Sequence, residues 1–345
     1  MSRKLFADLQ TFSTLEEYRN SYEVNYSTLK ELPYNPSVLL GRSEHKDSDA
    51  MRLGSMVDTI LTEPDTFNVQ FFVLSGKKPS EAVVKIVSDV VENGNTLDDR
   101  DIVLEVCKAN EYRKTWGDDK IYEYIVTEGK VFSEELIEGR SKRLVTSDDY
   151  ILANQIAKLL VEHEWTSKYF TLGDKDIEII FQFKFYSKIE GVDCKCMMDI
   201  LLIDHFAKTI QPLDLKVGEQ HFNVSFFKFK WYLQGAMYRE ALEVFTLGSE
   251  FKNYTIEEFK FIHVNTKYLD YPVIYEMDNT FHEHALLGWK EAGRDFLGVY
   301  ELIEDFKWYE EYRMKHNPEI LVPRKLVENN GILTIPTPRP DDLPF

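Results

Sequence analysis

The 345-residue chain has little cysteine: three residues, of which only Cys194 and Cys196 lie close together. That is too few for a disulfide framework and points to a reducing interior. No apolar run approaches the roughly 20 residues that span a bilayer, so no membrane partner is expected. The opening Met1-Ser2-Arg3-Lys4-Leu5-Phe6 lacks an apolar core and reads as neither signal nor transit peptide, which makes a cytoplasmic protein the expectation. No internal repeat is visible, so a solenoid is excluded. A basic excess is missing too: the net charge is −18, whereas most nucleic-acid binders are basic. What the chain does have is apolar bulk, 43% hydrophobic and 14% aromatic residues, enough to bury a large core and to exclude a disordered chain.

The most informative run is 194–203 followed, after Asp204 to Ala207, by 208–216. It reads as two strands joined by a tight polar turn. The first carries one acid, Asp199; the second carries Asp214 and, two residues on, Lys216. Side chains alternate across a strand, so Asp214 and Lys216 share a face, and Cys194 and Cys196 share one that points away from Asp199. Two carboxylates beside an ammonium are what metal-dependent phosphodiester hydrolysis requires: oxygen ligands for a hard cation, and a charge to steer water or stabilise phosphate. An Asp-x-Lys pattern taken alone also describes a solvated strand face; the surroundings decide between the two.

Downstream, 223–245 reads as a helix with Asn223 as its N-cap. Val224, Phe227, Trp231, Gln234, Tyr238 and Phe245 fall close to one stripe. Gln234 and Tyr238 stand one turn apart. A glutamine on an apolar stripe needs a partner, because an unpaired buried amide is costly. A backbone group would satisfy it but leaves its place directly after the Asp-x-Lys strand unexplained. Between Gln220 and Arg239 there is no acid, while Lys228, Lys230 and Arg239 stand among Phe226, Phe227, Phe229, Trp231 and Tyr232. That mixture suits a single-stranded or frayed DNA end, and equally a buried helix with snorkelling lysines. Far upstream, 48–61 reads as another helix, followed by Glu63-Pro64-Asp65 and Phe67.

In this order the pieces resemble the PD-(D/E)XK nuclease superfamily, in its RecB/RecE-like branch of exodeoxyribonuclease VIII-like and phage lambda-type exonucleases. There a strand ends in Asp, a partner strand carries Asp or Glu, one residue, then Lys, and a helix with Gln-x-x-x-Tyr follows; here these are Asp199, Asp214-Leu215-Lys216, Gln234 and Tyr238. Gly54 to Asp58 is similar to the family's Gly-x-x-x-His helix, with Asp58 in place of histidine. Lambda-type enzymes carry Glu there, and the shorter Asp favours ligation through water; an exposed helix acid is the other reading. Tyr26 to Lys30, Glu178 at the opening of a strand over 177–186, and Gly191 to Lys195 agree with the RecE-type pattern, so the resemblance covers residues 20 to 310.

The resemblance implies an α/β fold with a PD-(D/E)XK, restriction-endonuclease-like core: a central mixed sheet flanked by helices, with a helical N-terminal region and an insertion. It implies a metal-dependent DNA exonuclease of phage or prophage recombination or replication, cutting 5′ to 3′ as a homo-oligomer and working with an annealing protein. Asp199 and Asp214 would bind one or two Mg²⁺ or Mn²⁺ ions, with the Leu215 carbonyl a further ligand and Asp58 completing the set. Lys216 would orient or deprotonate the water. Gln234 and Tyr238 would position the DNA strand or hold Lys216, with Lys228, Lys230 and Arg239 on the DNA and Glu178 supporting the ligands from behind. Some relatives hold an iron–sulfur cluster with four cysteines, which this chain cannot supply.

Residues 1–330 read as one elaborated nuclease domain. A helical part to residue 75 carries the Asp58 helix; a helix-rich insertion over 76–165 has helices at 80–93 and 149–164. The core over 166–316 holds strands within 176–217, the helix at 223–245, strands at 258–265 and 271–277, and one long helix over 281–315. His282 and His284 are not spaced as a helical metal pair and are expected on the surface. Residues 331–345 form an extended, proline-rich acidic tail. Its end, Asp341-Asp342-Leu343-Pro344-Phe345, resembles the acidic tip of bacterial single-stranded-DNA-binding proteins, which implies docking on host proteins that recognise that tip; a chance match in a disordered tail is the other reading. Two other functions fit the sequence: a structure-specific endonuclease of the same superfamily, and a non-catalytic protein that recruits host replication proteins through its tail.

Overall fold

A computed structural model of the chain describes residues 5–41, 48–76, 78–171, 175–291 and 293–332. The five tail residues Asp341, Asp342, Leu343, Pro344 and Phe345 lie outside the described residues. The chain divides into two compact units, residues 1–46 with 163–345, and residues 47–162.

The first unit opens with α1 (Leu15–Asn20) and α2 (Tyr26–Glu31), each started by a polar cap: Thr14 accepts from the Glu17 amide at 3.0 Å and Asn25 from the Thr28 amide at 2.8 Å.

The chain then builds the second unit without interruption. Its elements are α3 (Asp49–Thr62), α4 (Phe67–Gln70), β1 (Phe71–Val73), α5 (Glu81–Glu92), α6 (Arg100–Ala109), α7 (Asp118–Glu138), β2 (Arg143–Val145) and α8 (Ser147–Glu162). Strands β1 and β2 pair in parallel. Val83, Ile86, Val87 and Val90 of α5 fall at helical spacing and bury against Val103, Ile121, Ile125 and Phe132. Helix α3 packs on α8, so the Asp58 helix lies in the same compact unit as the helix-rich segment.

On its return the chain forms β3 (Ile177–Ile189), β4 (Val192–Asp204), β5 (Thr209–Gly218), α9 (Phe222–Lys228), α10 (Trp231–Leu247), β6 (Thr255–Ile256), β7 (Phe259–Asn265), β8 (Val273–Met277), α11 (Asn279–Leu287), β9 (Trp289–Glu291), β10 (Arg294–Phe296), α12 (Val299–His316) and α13 (Arg324–Glu328). Among the described residues the main sheet runs β3-β4-β5-β7-β8, with β6 also on β5. It is mixed: β5 and β7 are parallel, joined by α9 and α10, while β3–β4, β4–β5 and β7–β8 are antiparallel. Leu233, Ala236, Met237, Ala241 and Leu242 of α10 bury against Phe183, Phe185, Phe259 and Phe261. This is the expected central mixed sheet flanked by helices.

Three expectations are corrected. The helix over 223–245 is two helices, because Lys230 takes a left-handed φ of 56° and the Tyr26 hydroxyl donates to the carbonyls of Phe229 (2.7 Å) and Lys230 (3.1 Å), groups that a continuous helix would use itself. The cap of α9 is accordingly His221, not Asn223. The helix over 281–315 is α11 and α12 separated by the β9–β10 hairpin. Gly288 (φ 82°) starts the break, and Gly298 ends it where an added Cβ would lie 2.2 Å from the Gly288 nitrogen. His282 is buried, not on the surface. No helix among the described residues is long and apolar enough to cross a membrane.

Candidate active site

The β4–β5 hairpin is closed by Asp204, whose Oδ1 accepts from the amides of Phe206 (2.9 Å) and Ala207 (2.8 Å). From that turn the two strands pair as far as Ile200 with Leu213. Beyond Leu213, β5 follows β7 instead, and the sheet forks. The next residues inward are Asp199 on one arm and Asp214 on the other. With the ladder open, the Leu215 amide donates to Asp199 Oδ2 at 2.9 Å. A carboxylate thus spans the fork where a backbone carbonyl would otherwise stand.

The far side of Asp199 is also irregular. Cys194, Cys196 and Met198 face the core, as expected of one strand face, but past the acid the core positions are Leu201 and Ile203. On β3 the same change falls between Phe183 and Ile180, with Gln182 in a left-handed φ of 51° between them. The two-residue alternation is broken at the acid on both strands.

Asp214 and Lys216 share a face, and Gln234 closes them into a triangle. Gln234 Nε2 donates to Asp214 Oδ1 (2.7 Å), Lys216 Nζ donates to Gln234 Oε1 (3.0 Å), and Lys216 Nζ lies 2.5 Å from Asp214 Oδ2. Asp214 is buried, at 2% exposure, and its Oδ2 accepts no hydrogen bond in good geometry despite the ion pair. Gln234 reaches the acid because α10 sits close on the sheet at Gly235, where a Cβ would stand 3.2 Å from Met277 and Phe261. Tyr238, one turn on, is buried. Burial, followed by Tyr18, Cys196 and the two acids, pushes its phenol well above the ordinary range, so it stays protonated. Its ring stands edge-on to Tyr26 and Phe259, both at 6.5 Å.

The other expected site residues are placed as follows. Lys228 is exposed, over the Phe229 ring. Lys230 donates to the Lys30 carbonyl (3.1 Å) and lies over Tyr34 (4.0 Å), a contact that pins α10 to the N-terminal segment. Arg239 is buried and paired with Glu243 (3.1 Å). It also faces His282, whose imidazole burial and then Arg239 hold down to about 4. Glu178 is not brought to the acids: opposite Ile203 on β4, it accepts from the amides of Phe6 and Ala7 (both 2.9 Å) and bonds His205 (2.9 Å). It clamps the N-terminal segment. Asp58 lies on α3 of the other unit, where its carbonyl accepts from Thr62 (2.9 Å). Among the described residues no group of three or more His, Cys, Asp or Glu forms a metal cluster.

Three neighbours were not legible as site residues. Lys30 of α2 comes near Lys216: burial lowers its ammonium, Glu31 opposes, and Lys216 and Lys230 lower it further. Trp231 carries the Lys216 ammonium over its ring at 5.1 Å. His263 is the register partner of Lys216 on β7. Lys30 and His263 meet the site through tertiary contacts, which leave no local pattern, whereas Trp231 stands on the Gln234 stripe one turn before it.

Residues 26–302 match the family described as "PDDEXK-like domain of unknown function (DUF3799)". A crystal structure from Eubacterium rectale, described as a "putative exonuclease", is 13% identical over 95% of this chain and 96% of that chain, with a TM-score of 0.46, a likeness too loose to bear on activity. Among curated proteins, none matches the chain.

Proposed function

Since the chain belongs to this PDDEXK-like family, we propose that it is a metal-dependent nuclease that hydrolyses DNA phosphodiesters from ends. The observation that supports this reading is the Asp214–Gln234–Lys216 triangle beside Asp199 at the fork of the sheet.

The donors fit a hard divalent cation. Asp214 Oδ2 is a buried carboxylate oxygen with no hydrogen bond in good geometry, Asp199 stands across the fork, and the Leu215 carbonyl lies on the strand between Asp214 and Lys216. Mg²⁺ is commonly held by one or two carboxylates with the remaining ligands from water and substrate. Such an ion supplies charge neutralisation and polarisation of the phosphate. Asp199, Asp214 and the Leu215 carbonyl would hold it. Lys216 orients the attacking water and offsets the charge that builds on the phosphate as the P–O bond to the leaving strand breaks. Gln234 fixes Lys216 and Asp214 relative to each other, and Tyr238 stays a neutral wall behind them. Asp58 as a further ligand, the 5′-to-3′ direction, Mg²⁺ or Mn²⁺ as the ion, oligomerisation, an annealing partner, a phage recombination role and a tail-docking host protein rest on the sequence resemblance.

Incubation with linear and circular duplex DNA, with Mg²⁺ or a chelator, tests the reading. Loss of linear DNA only, abolished by chelator, is expected; nicked circles would make it an endonuclease, and no cleavage would leave a binding protein. Asp214→Asn and Lys216→Ala should each lower cleavage at least 10²- to 10³-fold, on the order of one electrostatic catalytic group, with an unchanged circular dichroism spectrum. Near-normal rates in either variant would remove these residues from catalysis.

A further inference from the structure

Past Lys216 an aromatic path leads to a cavity of about 400 Å³ at the C-terminal ends of β5 and β7. Trp231 lies under the Lys216 ammonium; its ring is 5.6 Å from Phe222, and Phe222 stacks flat on Tyr275 at 3.9 Å with 7° between the planes. Phe222 and Tyr275 wall the cavity, Tyr268 and Tyr271 stand exposed at its rim, and His263 lines it from β7.

His263 carries the inference. It is 5% exposed, lines the cavity and makes ring contacts with Phe222 and Tyr275. Burial first, and His221 second, hold its imidazole down to about 4. At neutral pH it is therefore uncharged, with one N–H donor and one lone pair. The lining contains no lysine or arginine, so the cavity is not built for a phosphate. An aromatic-walled space with His263, His221, Asn265 and Asp270 as its polar lining fits a heteroaromatic base, held by stacking and edge contacts and free of a cation for phosphate.

We propose that this cavity receives one unpaired nucleobase of the strand being cut, holding a frayed nucleotide beside the scissile phosphate. The proposal rests on the nuclease reading and adds what that site selects. Neighbouring strands lie about 4.8 Å apart, and Lys216 and His263 are register partners, so a base in the cavity and a phosphate at Lys216 belong to the same or adjacent nucleotides.

The test places a single abasic nucleotide at each of the terminal positions of a linear duplex in turn. Affinity is read as Kd with chelator present and as KM when cleavage is allowed. For the unaltered protein, one position should weaken binding by about 5- to 100-fold, the worth of one base–aromatic stack, and its neighbours should not. In Tyr271→Ala, an exposed and easily tolerated change, and in His263→Phe, which keeps the ring but removes its polar edge, intact DNA should bind as weakly as the abasic duplex, and the abasic penalty should shrink towards one. If His263→Phe fails to fold, Tyr271→Ala decides alone. Cleavage of linear DNA with no abasic penalty, or with the same penalty at every position, would overturn the pocket and leave the nuclease reading standing. DNA neither bound nor cut would overturn both.

Discussion

Gln234 has two hydrogen-bonding ends, and both are engaged with the residues that matter most, Asp214 and Lys216. Gln234→Ala leaves Asp214 Oδ1 buried without a donor, which costs about 1–3 kcal/mol and should appear as a lower urea midpoint. Gln234→Glu keeps the shape but sets a second carboxylate against Asp214. It should be less active than Gln234→Ala at neutral pH and recover part of the difference as pH falls and the pair takes up a proton. Equal pH profiles for the two variants would show that Gln234 only fills space. The motif residues were legible in the sequence because their relations are local: Asp214 and Lys216 two apart on a strand, Gln234 and Tyr238 four apart on a helix. Lys30 was not, since it reaches Lys216 from a distant helix. Lys30→Ala should raise KM for DNA with little change in kcat.

At the scale of elements, the sheet and α10 follow from runs of alternating or helical periodicity, whereas the departures from regularity do not. Nothing in the composition of β3 marks Gln182 for a left-handed φ, or Leu213 as the place where β5 leaves β4. The elbow between α9 and α10 is likewise fixed from outside, by the Tyr26 hydroxyl on two carbonyls, and helical periodicity runs straight through it. Gly288, Gly293 and Gly298 were the visible cues to the hairpin inside the last long helical stretch. Removing the elbow's outside support should matter locally. Tyr26→Phe should cost about 0.5–1.5 kcal/mol, the net worth of a hydrogen bond, measurable by thermal denaturation. It should also lower cleavage by loosening Trp231 under Lys216. Unchanged stability would mean that the elbow holds itself.

For the molecule as a whole, a net charge of −18 sets the terms on which it meets DNA. With few cations near the acids (Lys216, Lys30 and Lys230), binding should release few counterions. A plot of log K against log salt should have a slope of about −2 to −3, from roughly 0.9 per phosphate; a much steeper slope would reveal a basic surface elsewhere. Acid should unfold the protein early. His263 and His282 titrate near 4 in the fold, against an ordinary 6.5, so the unfolded chain binds more protons between those values. Stability is therefore full above pH 6.5 and falls as pH drops towards 4. His282→Leu should flatten that fall in denaturation midpoints taken across the window. The clamp on the N-terminal segment has a consequence for how the chain is made. Phe6, Tyr26, Leu29 and Leu32 bury against strands and helices encoded after residue 176, and residues 47–162 emerge between the two. At the speed of a ribosome, the first apolar side chains wait on the order of ten seconds for their partners. Meanwhile the intervening segment can close its own core, leaving the opening residues as bare apolar sequence open to chaperones until the last strands arrive.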